Sequence, residues 1–112
     1  MKKVEAIIKP FELDDVREAA AGAGAHGMTI SEVHGFERLR GRGEIHGGTE
    51  DVADFVPRLK VEMLVEEDQV ARLAGAIRRV ACKGRIGDGE IFVVDIDDAV
   101  RIRTGEHGAT AV

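Results

Sequence analysis

The chain has 112 residues, enough for one domain that buries roughly two-thirds of the surface its unfolded form exposes. Its net charge of −5, from 16 basic and 21 acidic residues, argues against a general binder of nucleic acid or anionic membranes, because such affinity rests on a basic surplus. No apolar run approaches the roughly 18 residues of a membrane span, the opening MKKVEAIIKP has no signal-peptide core, and a lone Cys82 excludes an internal disulfide, so a cytoplasmic protein without membrane insertion is expected.

In chain order, KVEAII (residues 3–8) is a short aliphatic strand candidate. Leu13, Val16, Ala19, Ala20 and Ala23 then follow helical spacing, ended by glycines at 22 and 24. MTISEVHGF (28–36) reads as a second strand. From residue 37 to 51 the core pattern disappears: only Leu39 and Ile45 are apolar among charges and glycines. A segment that long without structure inside a small domain points to function. KVEMLV (60–65) then repeats the opening strand. Val70, Leu73, Ala74, Ile77, Val80 and Ala81 follow the helical template more cleanly than the first helix does, with Glu66, Glu67 and Asp68 at the start and Arg78 and Arg79 at the end, as the helix dipole favours. IFVVDI (91–96) is the fourth strand, and VRIRT (100–104) a short terminal one.

The pattern is βαβ twice over, which predicts an α+β ferredoxin-like domain over residues 1–112: an antiparallel sheet with two helices on one face. Ala6-Ile7-Ile8 and Phe92-Val93-Val94 are apolar on both sides, whereas two helices cover one sheet face. A partner subunit is the simplest cover for the other.

Three clusters could carry chemistry. KGRIGDGE (83–90) sets three glycines between a helix end and a strand, where successive N–H groups could hold phosphate, although an ordinary glycine-rich turn fits as well. RIRT puts Arg101 and Arg103 on one face if it is a strand, and paired guanidiniums suit a polyphosphate; a solvated edge strand is the plain alternative. RLRGR (38–42) reads as a basic loop. The four histidines have no metal-ligand spacing, among themselves or with Cys82, and no nucleophile–base grouping stands out, so neither a metal site nor an enzyme is expected.

MKKVEAIIKPFELDDVREA, TISEVHGF, DFVPRLKVE and KGRIGDGEIFVVDIDDAVRIRTGE together resemble the PII signal-transduction proteins, end to end and without a gap. The resemblance implies a homotrimer, and makes the segment at about 37–55 the T-loop, which docks on a target transporter, enzyme or regulator. It also implies ATP or ADP bound between subunits, by Ile7, Thr29, Gly35, Phe36, Glu37, Arg38, Leu64, Gly87, Asp88, Gly89, Glu90, Arg101 and Arg103, with the need for Mg2+ left open.

The departures from that pattern cluster at its regulatory positions. Leu39 stands where the family's glutamine helps bind Mg2+ and 2-oxoglutarate, Glu90 where a lysine meets the nucleotide phosphates, and Arg58 where a lysine receives the effector's carboxylate. Glu37 replaces a loop glycine. Asp51 replaces the tyrosine that bacterial members nucleotidylate; the chain has no Tyr, so that modification is not expected, and Thr49 is left as the nearby hydroxyl. The resulting expectation is a non-enzymatic regulator diverged from standard 2-oxoglutarate sensing, with a standard nitrogen regulator as the alternative. An acylphosphatase-like enzyme on the same fold would need a phosphate-cradling arginine loop after its first strand, and KPFELDD is acidic there. An RNA-recognition module would need aromatics where VEMLV has none.

Overall fold

The computed structural model describes residues 1–36 and 55–111. Their order is β1 (Lys2–Ile8), α1 (Leu13–Gly22), β2 (Thr29–Gly35), β3 (Val56–Val65), α2 (Val70–Ala81) and β4 (Glu90–Asp95). The strands form one sheet in the order β2-β3-β1-β4, antiparallel at every step, which with the two helices is the expected ferredoxin-like α+β fold.

Alternation along the two central strands builds the core. Val4, Ala6 and Ile8 of β1 and Leu59, Val61, Met63 and Val65 of β3 are buried on one face. Val16 and Ala20 of α1 and Leu73, Ala76, Ile77 and Ala81 of α2 pack on that face. Burial of a residue the size of Leu73 or Ile77 stabilises the fold by roughly 1.5–3 kcal/mol.

Each central strand turns into its helix by the same short route. A one-turn 3-10 helix, Pro10–Glu12 or Glu67–Gln69, follows the strand, and its third side chain reaches back to the backbone N–H just before it. Lys9 N–H donates to Glu12 Oε1 at 3.0 Å and Glu66 N–H to Gln69 Oε1 at 3.1 Å, each satisfying a donor that the helix start leaves open.

The register explains the strands that read as apolar on both sides. Val93 lies opposite Val4 and Ile30 opposite Val61, on the helix side, yet they are 48% and 43% exposed because the helices do not reach the sheet's edges. The other face is mixed. Phe92, Val94 and Leu64 flank a charged centre in which Lys3 pairs with Glu5 at 3.0 Å and Glu62 at 3.3 Å, and Val33 and Val56 lie on the same face nearer its other end. Those two carboxylates, Glu5 first, hold the Lys3 ammonium above its ordinary range.

Two sequence expectations need correction. β3 begins at Val56 rather than Lys60, because the whole of β2 pairs with it, Gly35 opposite Val56 through Thr29 opposite Glu62. VRIRT is not a strand. Val100 makes a single bridge to His107, and the chain between them turns back through bonds from Arg101 N–H to the Glu106 carbonyl (2.9 Å) and from Gly105 N–H to the Arg101 carbonyl (2.8 Å). The alternation that would put Arg101 and Arg103 on one strand face therefore does not apply.

Candidate functional site

The structure sorts the described candidate residues into two groups at opposite ends of the sheet. The first surrounds the residue 83–90 loop, which leads from α2 to β4. Ile7 pairs with Glu90 at the start of β4, and Gly89 is pressed onto β1: a Cβ there would stand 1.9 Å from the Ile7 carbonyl oxygen. Gly87 and Gly89 have φ of 91° and 113°, the region where glycine is the natural occupant. Further along the same end, Gly35 closes β2 with the Arg58 side chain beside it, and Phe36 lies 5.8 Å from Phe55, centroid to centroid. Glu90 is exposed.

The loop is an anion nest, but its occupant is its own carboxylate. Asp88 accepts the N–H groups of Lys83 at 2.9 Å and Arg85 at 3.2 Å, and the Lys9 ammonium stands at 3.4 Å. The Lys83 amide, the Arg85 amide and Lys9 together hold the Asp88 carboxyl below its ordinary range, against a smaller opposing effect of burial. The Lys83 ammonium is used elsewhere, on the Val80 carbonyl at the end of α2.

The second group lies around a cleft of about 860 Å3 at the other end of the sheet, where Thr29 begins β2 and Leu64 nears the end of β3. Asp98, Ala99 and Ala109 of the C-terminal segment form one wall and Met28 with Ile96 adds apolar surface. That wall is braced by Asp98, which meets His107 Nδ1 at 2.7 Å and accepts Gly108 N–H at 3.2 Å. His107 is the chief reason the Asp98 carboxyl is held low. Arg101 is half-buried, its Nε donating to the Ala111 carbonyl at 3.3 Å, and Arg103 is exposed.

Lys3, opposite Leu64, and Ile7 are four residues apart on β1, about 14 Å, and Thr29 and Gly35 six apart on β2, about 20 Å. Glu37, Arg38, Leu39, Thr49 and Asp51 lie outside the described residues. Among the described residues no group of three or more His, Cys, Asp or Glu side chains could hold a metal. Sequence reasoning missed the Lys9–Asp88 pair and the His107–Asp98 brace, both of which join residues far apart in the chain or across an unread turn. The signal for Asp88 was present: an Asp between glycines is a common acceptor for nearby turn amides.

A ferredoxin-like domain with a glycine loop at one end of its sheet and a cleft walled by its C-terminal segment at the other is the class these features define. The family model described as Nitrogen regulatory protein P-II matches residues 1–106. Proteins named nitrogen regulatory protein P-II from Bradyrhizobium diazoefficiens and P-II 1 from Escherichia coli K12 are 52% and 51% identical over 112 residues, each covered in full on both sides. The crystal structure of Arabidopsis thaliana PII bound to citrate is similar with a TM-score of 0.78 at 39% identity, over 99% of this chain and 91% of that one. The chain belongs to the nitrogen regulatory protein P-II family, whose members are named as regulators, not enzymes.

Proposed function

We propose that this is a cytoplasmic, homotrimeric signal-transduction regulator that binds ATP or ADP in clefts between subunits and controls a target protein through the T-loop at about 37–55, diverged from standard 2-oxoglutarate sensing. The observation that carries the reading is the division of the candidate residues between the two ends of one sheet. A glycine loop at one end and a cleft at the other are halves that a head-to-tail contact between identical chains brings together. Such a contact is heterologous and closes into a ring where its rotation permits. The family resemblance sets the ring at three. The exposed edge residues Phe92, Val94, Ile30 and Val93 are available to be covered in that assembly. Among the described residues no helix is long and apolar enough to cross a membrane.

The divergence rests on chemistry at the resembling positions. Glu90 places an anion where the family has a phosphate-binding lysine, so ATP loses much of its advantage over ADP. Leu39 offers no oxygen to a metal, and Mg2+ tolerates missing oxygen ligands badly. The second reading, a standard sensor of 2-oxoglutarate, is favoured by Arg58, whose aliphatic stem lies beside Gly35 and whose guanidinium, which donates to the Pro57 carbonyl at 2.9 Å, could still receive a carboxylate. The citrate named with the Arabidopsis structure is a carboxylate ligand on the same fold.

Sedimentation equilibrium with calorimetry tests the core of the proposal. A trimer should bind adenine nucleotide at one site per chain, and Arg101→Ala should weaken ATP and ADP alike, by the roughly 1.5–3 kcal/mol of a charge-assisted contact. A stable monomer at micromolar concentration removes the intersubunit site. Titrating 2-oxoglutarate into protein saturated with Mg·ATP separates the two readings: micromolar binding with Leu39 in place restores the standard sensor, while binding gained only in Leu39→Gln supports divergence.

A further inference from the structure

We infer that Asp88 is a positioning residue rather than a ligand contact: its carboxylate fills the anion nest of residues 83–90 with the chain's own charge and locks the loop that presents Gly87 and Gly89. The inference rests on the nucleotide reading above and assigns one residue's task within it. An ionised carboxylate only accepts hydrogen bonds, so it has nothing to donate to a phosphate and would repel it. Its donors are already in place: the Lys83 and Arg85 amides and the Lys9 ammonium converge on it, and its side chain is only 20% exposed.

Two contacts fasten the loop to the end of β1. Gly89 packs against the Ile7 carbonyl, where any side chain would collide, and two residues further on Lys9 holds Asp88. Between them Gly87 and Gly89 are kept at positive φ, with the two Asp88-bound amides drawn inward on the loop's own carboxylate. A loop shaped before the ligand arrives spends no binding energy on ordering itself. The Lys9 ammonium is thereby assigned too: it clamps the loop, and its charge is largely answered by Asp88 before any ligand approaches.

The test combines binding with amide NMR on the full-length protein. In ligand-free Asp88→Asn, the Lys83 and Arg85 amide resonances should move upfield as the carboxylate acceptor is lost. ADP and ATP affinity should both fall about tenfold, by the same factor with and without Mg2+. Lys9→Met, which leaves the two amide bonds in place, should give a smaller loss of about threefold and covers the case in which Asp88→Asn does not fold. Wild-type amide shifts in Asp88→Asn overturn the inference, as does unchanged nucleotide affinity. A loss confined to Mg·ATP also overturns it, since that would mean the carboxylate meets the metal. Wild-type protein that binds neither nucleotide sinks the nucleotide reading instead, and the amide shifts then decide the clamp by themselves.

Discussion

The two βαβ halves follow one plan and differ in what they put into it. The first helix, α1, buries Val16 and Ala20, with Leu13 and Ala19 half-buried against the core, whereas α2 fully buries Leu73 and Ile77 and also buries Ala76 and Ala81. The helix-entry turns differ as well. In the second half Gln69 ends the turn with a neutral amide, half-buried, its Nε2 close to Gly24. In the first, Glu12 is 2% exposed, one oxygen on Lys9 N–H and Oε2 buried with no partner among the described residues. The same backbone device thus holds a neutral, half-buried amide in one half and a buried, half-satisfied carboxylate in the other, and the second half carries more of the core.

The largest test of that asymmetry is in the helices. Leu73→Ala removes a fully buried side chain and should cost about 2–5 kcal/mol, read as a drop in the urea midpoint. Val16→Ala takes fewer methyl groups from an equally buried site and should cost less. Equal losses would mean the halves share the core evenly.

Next in size is the glycine loop, whose Gly89 is pressed onto β1 more tightly than any described glycine of the first half is pressed onto its neighbours. Gly89→Ala places a Cβ against the Ile7 carbonyl backbone at a φ of 113°, and strained positions of that kind cost about 1–3 kcal/mol before any clash is counted. Gly22, at the end of α1, has nothing within 4 Å of its would-be Cβ, and Gly22→Ala should be neutral or slightly stabilising. Thermal melts of the two variants side by side give the contrast. Similar melts would mean that the loop shifts freely from β1.

Glu12→Gln copies the second half's solution into the first. The amide oxygen can keep the Lys9 bond while the buried, unpartnered oxygen gives way to an uncharged group, so stability at neutral pH should rise by about 1 kcal/mol. A destabilised Glu12→Gln would show that Oε2 is satisfied by water or by Lys9 in solution, and the two turns would be equivalent after all.

The sequence carried the fold through periodicity. The aliphatic run in KVEMLV and the i, i+3, i+4 spacing from Val70 to Ala81 belong to local geometry, and both helices lie where that spacing put them. What failed was VRIRT, since β-branched and basic residues suit a strand equally well in a two-bonded turn, and the deciding bonds run to Glu106 and Gly105, beyond the motif. The candidate site was legible as residue types, because glycines at 87 and 89 announce unusual backbone. It was legible only in part as geometry: an Asp between glycines suggests an acceptor for the Lys83 and Arg85 amides, but nothing local in KGRIGDGE announces the pairing with Lys9, 79 residues away.

The smallest effect separates the two carboxylates that brace the two ends of the sheet. Asp88 and Asp98 are both held below the ordinary carboxylate range, the first mainly by the Lys83 amide, the second mainly by His107. A folded pKa below the unfolded one gives stability that is present above the unfolded value, about 3.9, and is lost as pH falls through the folded value. Both residues should therefore steepen the acid limb of the stability curve and do nothing to the alkaline side. Lys2 and Lys3 act in the opposite sense: their raised ammonium pKa values, set chiefly by Asp95 and by Glu5, give stability that is lost as pH rises through the folded values. The two aspartates differ in shielding, with Asp88's side chain 20% exposed and Asp98's 51%, so solvent screens the second more strongly. Urea midpoints followed between about pH 2 and 5 should flatten more in Asp88→Asn than in Asp98→Asn. The reverse order would mean that the C-terminal brace, and not the glycine loop, is the more tightly held end of the molecule.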